Sequence, residues 1–191
     1  MDKKNKLAVF DLDGTLYDTT VVNFNSYVVA MQKYGFSPSI DYQYFKTFCN
    51  GRNYKVFLPE IIEKISIGDM ERIHREKLNI YKQYLHYSKR NNHLFHILQS
   101  IKNEYITAIA TTASRHNTLD ILEKFGDIEL FDFIITKEDV SNTKPDPECY
   151  ILAMNIAAAT PENTLIFEDS EVGLNAAKLS KASYIQIFGF N

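Results

Sequence analysis

The chain has 191 residues, 45% of them apolar, which is enough for one good core with a modest appended domain and argues against disorder; no apolar run is long enough to span a bilayer, so no membrane association is expected. Its 21 lysines and arginines stand against 24 aspartates and glutamates, and a net charge of −3 gives no nucleic-acid footprint. Cys49 and Cys149 are too few for a disulfide framework, and the basic amino-terminal segment has too short an apolar stretch for a secretory signal, so a cytoplasmic protein is expected.

Leu7 to Phe10 is an apolar run bounded by Lys6 and Asp11, and predicts a buried strand of a parallel sheet. Asp11 and Asp13 follow, on one side of the chain if it stays extended, and Gly14 then frees the backbone to turn. From about Thr20 to Tyr87 the pattern is helical. Asp18 is the expected N-cap of a helix reaching Tyr34, with Gly35 at its end. A helix over Asp41 to Cys49, a break at Asn50-Gly51 and a segment interrupted by Pro59 come next. The longest stretch runs from Asp69 to about Lys89. A helix over His93 to Lys102 leads back to strand-like segments.

From there strand and helix alternate: strand Ile106 to Ala110, helix Arg115 to Phe125 closed by Gly126, strand Phe133 to Thr136, helix Pro147 to Ala159. Strand Thr164 to Phe167, helix Ser170 to Ser180 and strand Tyr184 to Phe188 complete the chain. Such alternation implies an α/β fold with a parallel sheet and helices on both faces. Residues 1–18 and 88–191 would form this core, and residues 19–87 a small all-helical domain inserted after the first strand.

Four segments carry possible chemistry. Asp11 and Asp13 offer a nucleophile and a proton carrier, and as neighbouring carboxylates they call for positive charge, a divalent metal being the simplest source; the plainer reading is a capped turn. Thr111-Thr112-Ala113-Ser114 opens a helix with hydroxyls and free N–H groups, a phosphate cradle or an ordinary N-cap. Lys144-Pro145-Asp146-Pro147 presents a lysine from a stiff loop, able to neutralise a phosphoryl group or simply solvated. Phe167-Glu168-Asp169-Ser170 puts two more carboxylates at a strand end, and Gly173 lets the next helix approach the sheet. Magnesium needs few carboxylates, so one aspartate here and one from the first strand would suffice. All four follow a strand or open a helix in the order of a parallel sheet, and their convergence favours a site.

With DLDGT at 11–15, TTAS at 111–114, KPDP at 144–147 and FEDS at 167–170, the chain resembles the haloacid dehalogenase-like (HAD) superfamily, in particular the phosphatase and β-phosphoglucomutase-like group with a helical cap. The resemblance spans the whole length and implies a Rossmann-like three-layer core with the helical domain as cap. It implies that Asp11 is the nucleophile forming an aspartyl-phosphate and Asp13 the general acid/base, its carbonyl also binding Mg²⁺. Thr112 and the Ala113 N–H would hold the phosphoryl group, with Gly14 beside it, and Lys144 would steady nucleophile and phosphate. Asp11, Asp13 and Asp169 would hold Mg²⁺, with Glu168 in or next to its shell. Asp13 favours phosphate-ester chemistry over dehalogenation, since a halide leaving group needs no acid.

The chain departs from relatives at Ser180-Lys181-Ala182, where many have glycine, and at Ser88 to Asn92, where a Pro-Gly turn is common; it ends at Asn191 without their further helix. In the cap, Arg52 after the Asn50-Gly51 turn is a candidate grip on a substrate oxygen or second phosphate, or a solvent-facing side chain. Tyr27, Tyr42, Tyr44 and Tyr54 are expected to pack the cap core, His93 and His96 to be surface or packing residues, and His116 is a weak candidate for the pocket rim. The expected function is a Mg²⁺-dependent phosphatase of a small phosphorylated metabolite, as monomer or weak homodimer. A phosphomutase and a non-catalytic binding module are the alternatives.

Overall fold

A computed structural model describes residues 5–190. Along the chain come strands β1 (Leu7–Phe10) and β2 (Tyr17–Asp18), then helices α1 (Thr20–Lys33), α2 (Tyr42–Phe48), α3 (Tyr54–Ile61) and α4 (Ile67–Tyr84). Strand β3 (Lys89–Arg90), helix α5 (Asn92–Ile101), strand β4 (Ile106–Ala110) and helix α6 (Arg115–Phe125) follow. Strand β5 (Phe133–Ile135), helix α7 (Glu148–Ala157), strand β6 (Thr164–Glu168), helix α8 (Glu171–Leu179) and strand β7 (Ser183–Gln186) complete the described chain. Two compact units result: Met1–Asp18 with Lys89–Asn191, and Thr19–Ser88.

The first unit is an α/β fold on a five-stranded parallel sheet of order β5-β4-β1-β6-β7. β1 lies in the middle and is buried along its whole length, which is why its sequence is apolar without alternation. Phe10 pairs in register with Ile109 on one side and Phe167 on the other, and its ring stacks on Phe167 at 4.5 Å. Burial of a side chain of this size stabilises the fold by roughly 1.5–3 kcal/mol. Asp11, one residue beyond, therefore emerges at the carboxyl edge level with Ala110 and Glu168. Ala108, Ala110, Ala176 and Ala177 keep the core shallow around Cys149 and Tyr150 of α7.

Helix ends follow local chemistry. The Ser114 side chain caps α6 by accepting from the Asn117 N–H, and Gly126 closes that helix with φ 71°. Ser170 caps α8 by accepting from the Gly173 N–H. Lys181 takes a left-handed φ of 65° where a glycine would be free to do so, at a cost of about 1 kcal/mol.

The second unit is all helical, with a core of Tyr27, Phe45, Phe57, Leu58, Ile73 and neighbours. Tyr27 meets Phe57 edge-on at 5.1 Å, Tyr42 meets Phe24 at 5.8 Å, and Tyr54 stacks on His74 at 4.0 Å, whereas Tyr44 is exposed beside Phe48. Pro59 lies inside α3 without splitting it; burial of Phe57 and Leu58 outweighs the missing N–H. No helix among the described residues is long and apolar enough to cross a membrane.

Several boundaries differ from the sequence expectation. Asp18 does not cap α1: it pairs with Lys89 in the β2–β3 ribbon, and α1 starts after Thr19 with no side-chain cap. The same pairing ends the long helix at Tyr84, with a 3₁₀ turn over Leu85–Tyr87 before β3. A ladder that pairs Tyr17 with Arg90 and Asp18 with Lys89, across the whole helical insertion in sequence, leaves no local pattern in either segment. β7 stops at Gln186 because its partner β6 ends at Glu168.

Candidate active site

Asp11 is buried at the end of β1, and Lys144 reaches it from the loop before α7. The ammonium donates to Asp11 Oδ1 at 2.6 Å, to Glu168 Oε2 at 2.7 Å and to the Ala110 carbonyl at 2.9 Å. It is thus a buried bridge between two strand ends, not a solvated loop lysine. The positive charge that the acidic motifs demanded is partly supplied by the chain itself.

Glu168 is fully buried, and both of its oxygens are engaged. Oε2 accepts from Lys144 and from the Tyr150 hydroxyl at 2.7 Å. Oε1 accepts from the Ser170 hydroxyl at 2.8 Å and from the Ser170 and Asp169 N–H groups at 3.0 and 3.2 Å. Gly173 is required here: a Cβ at that position would lie 2.0 Å from the Glu168 carboxyl carbon. The glycine admits a carboxylate, a sharper role than close helix–sheet packing. Asp169 turns the other way, and its Oδ1 accepts from the buried Thr15 hydroxyl at 2.9 Å. Gly14 has φ +94° and a Cβ there would come within 2.1 Å of Asp169 Oδ2, so this turn also needs glycine.

Asp11, Glu168 and Asp169 each bring a carboxylate oxygen within 4.8 Å of the others. Three carboxylates and one ammonium leave the cluster negative. Burial, then the charge of Glu168, raises the Asp11 carboxyl well above the usual range despite Lys144. Asp169 is pushed up to about 6 by burial and by Glu168. Burial disfavours the charge on Glu168, but Lys144 and the Tyr150 hydroxyl hold it below the usual range. Burial likewise opposes the Lys144 charge, and Asp11, Tyr150 and Glu168 more than restore it, raising its pKa. Hard oxygen donors that resist ionisation in a shared pocket fit a small divalent cation, whose charge would reverse that resistance.

The other candidates are placed differently from the sequence expectation. Asp13 is not among the gathered carboxylates: the strand stops at Phe10, Leu12–Leu16 forms a turn, and Asp13 lies half-buried with its backbone bridged to Tyr17. The expectation that Asp11 and Asp13 share one side of an extended strand fails for that reason. Thr112 is exposed, whereas Thr111, directly after β4, is buried. The Ala113 N–H is already donated to Thr111 Oγ1 at 3.0 Å, so it is not the free donor expected. Arg52 lies in the helical unit with its guanidinium forked onto Glu60 at 2.7 and 2.8 Å and onto the Phe48 carbonyl. His93, His96 and His116 are exposed, the last 3.4 Å from Asp120.

Sequence reasoning missed Thr15 and Tyr150 as parts of this edge, and within the Thr111-Thr112 pair it chose the exposed residue over the buried one. Thr15 was visible inside DLDGT, two residues beyond Asp13. Tyr150 had no local signal, since an aromatic on an apolar helix face reads as core.

A parallel sheet of this order with acidic, hydroxyl and lysine residues at its carboxyl edge defines a class of α/β hydrolases. The family pattern of haloacid dehalogenase-like hydrolases matches residues 8–187, and the chain belongs to that family. It is 30% identical over 188 residues to the phosphorylated carbohydrates phosphatase of Thermotoga maritima, covering 95% of this chain and 83% of that protein. It is 29% identical over 174 residues to the pyrophosphatase PpaX of Halalkalibacterium halodurans, covering 85% and 74%. The crystal structure of CbbY from Rhodobacter sphaeroides in complex with phosphate superposes with a TM-score of 0.82 at 25% identity, covering 97% of this chain and 87% of that one.

Proposed function

We propose that the protein is a Mg²⁺-dependent phosphatase that hydrolyses a small phosphomonoester, a sugar phosphate or similar metabolite, through an aspartyl-phosphate on Asp11. The observation that carries this reading is the buried Lys144 ammonium held 2.6 Å from Asp11 within a cluster of three carboxylates. The named phosphatases among its relatives support the same chemistry.

In the first half-reaction an Asp11 oxygen attacks phosphorus, the ester P–O bond breaks, and the leaving oxygen takes a proton from Asp13. In the second, water attacks the same phosphorus, gives its proton back to Asp13, and releases Asp11 and inorganic phosphate. Lys144 stabilises charge on Asp11 and on the phosphoryl oxygens as a fixed point charge. The buried Thr111 hydroxyl, still free to donate while its oxygen accepts from Ala113, is the better placed of the two threonines to hold a phosphoryl oxygen. Asp11 and Asp169 would hold Mg²⁺, with the Asp13 carbonyl as the resemblance implies, and Glu168, saturated by its five donors, would support them from behind. When bound, Mg²⁺ supplies Lewis-acid neutralisation of the dianionic phosphate. Residues 19–87 act as the cap that selects the substrate. The Arg52 fork onto Glu60 favours hydrolysis over a phosphomutase, which needs a free grip on a second phosphate.

The test is Asp11→Asn with p-nitrophenyl phosphate and Mg²⁺. Activity is expected to fall by about 10³-fold or more, with no alkali-labile, hydroxylamine-sensitive phosphoenzyme trapped by acid quenching. Turnover that survives the substitution would remove Asp11 as nucleophile.

A further inference from the structure

Strands β2 and β3 form a ribbon of two residues each, and even much longer isolated hairpins are marginal in water. Side chains hold this one. Arg90 on β3 stands opposite Tyr17 on β2, and both reach Asp127 in the turn after α6. The Tyr17 hydroxyl donates to Asp127 Oδ2 at 2.7 Å. Arg90 forks onto the same carboxylate, Nε to Oδ2 and Nη2 to Oδ1, both at 2.7 Å. Asp127 and Tyr17 are buried, and the guanidinium carbon lies 3.6 Å from the centre of the Phe95 ring. The Tyr17 ring is itself flanked by Phe95 at 5.5 Å and Phe125 at 5.1 Å. A bidentate arginine–carboxylate pair shielded from water fixes orientation as well as distance.

That rigidity passes into the Leu12–Leu16 turn, because the turn closes on the Tyr17 backbone. The Tyr17 N–H donates to the Leu12 carbonyl at 3.0 Å, the Gly14 N–H donates to the Tyr17 carbonyl at 2.8 Å, and Asp13 is bridged to Tyr17. From the β3 side, the Asn91 N–H donates to the Leu16 carbonyl at 2.9 Å and its side-chain amide to the Thr15 carbonyl at 3.1 Å. Arg90 and Asp127 lie far from Asp13 in sequence, yet through Tyr17 they reach the backbone of its turn.

We propose that Tyr17, Arg90 and Asp127 are positioning residues for Asp13, holding its turn so that the carboxyl meets the leaving oxygen as the P–O bond breaks. The proposal rests on the reading of Asp13 as proton donor. Its signature is a dependence on the leaving group. An alkyl phosphate needs the proton as its alkoxide departs, whereas p-nitrophenolate departs without one.

The experiment compares kcat/KM for a simple alkyl phosphate and for p-nitrophenyl phosphate in the full chain with Mg²⁺, in wild type, Asp13→Asn, Asp127→Asn and Tyr17→Phe. Asp127→Asn is expected to lose roughly tenfold more on the alkyl ester than on the aryl ester, in the same direction as Asp13→Asn, with Tyr17→Phe showing a smaller loss of the same kind. Equal losses on both esters in Asp127→Asn, while Asp13→Asn discriminates, overturn the positioning role and leave the cluster structural. No discrimination in Asp13→Asn itself overturns the proton-donor reading and the proposal with it. Should Asp127→Asn not fold, as judged by its melting transition, Tyr17→Phe decides on the same criterion, since it keeps the ring and the Arg90–Asp127 pair.

Discussion

The two units handle charge in opposite ways. In the α/β unit, Asp11, Lys144 and Glu168 are buried and answer one another, as buried Asp127 answers Arg90, across elements distant in sequence. In the helical unit, Arg52–Glu60 and Arg72–Asp69 are surface pairs and Lys33–Glu76 is a half-exposed one, and aromatic rings fill the core. Lys77 is the exception, buried with its ammonium 4.5 Å from the centre of the Tyr81 ring. Surface pairs contribute at most about 1 kcal/mol each, whereas buried ones are strongly destabilising to break. Stored electrostatic strain therefore belongs to the sheet edge, and the helical unit can vary its charges at little cost.

The largest expected effect tests that contrast at its centre. Lys144→Met should cut phosphatase activity by about 10²-fold or more and destabilise the α/β unit by about 3–5 kcal/mol, because Asp11 and Glu168 lose their shared partner. Denaturant melts followed with and without Mg²⁺ would show it; unchanged stability would mean that the buried bridge is not a structural element.

Gly173→Ala comes next. The added methyl meets the Glu168 carboxyl group, so a loss of about 1–3 kcal/mol is expected in the same melts. Full stability would mean that Glu168 has room to move and does not hold Lys144 firmly.

The dependence on pH and metal sharpens the comparison further. Asp169 has its folded pKa raised to about 6, so at this one group the folded metal-free protein holds more proton than the unfolded chain between the usual carboxylate range and that value. Its contribution to stability accordingly falls as pH rises through this window. A bound divalent cation works in the opposite direction, since it competes with the proton. Added Mg²⁺ should raise the melting temperature by more at about pH 7.5 than at about pH 5. A Mg²⁺ shift independent of pH would take Asp169 out of the metal site.

The smallest effect is expected in the helical unit. Arg52→Ala removes an exposed fork onto Glu60 and should leave the melting temperature nearly unchanged and kcat/KM within about twofold. A large rise in KM across phosphorylated sugars would instead make Arg52 a substrate contact that Glu60 only parks.

Much of the α/β unit was legible because its signals are local. The apolar run of β1, the serine caps of α6 and α8 and the glycine closing α6 each act within a few residues. The β2–β3 ribbon was not, because its only instruction is a partner that follows the helical unit in sequence. The site divides along the same line. Motif spacing places Asp11, Lys144, Glu168 and Asp169 at one sheet edge, since parallel strands deliver their carboxyl ends together. It misreads the backbone at Asp13, which lies in a turn and not on an extended strand, because β1 ends at Phe10.

The sequence by itself determined the alternation of strands and helices, the helical insertion and the acidic and lysine residues of one edge, all properties of short stretches of chain. Only the tertiary structure decided that Lys144 is buried between Asp11 and Glu168, that Thr111 and not Thr112 lies inside, and that Asp127 anchors the turn of Asp13. These are outcomes of packing: which polar groups lose water, and which partner then satisfies them, depends on elements that meet only when the sheet has formed.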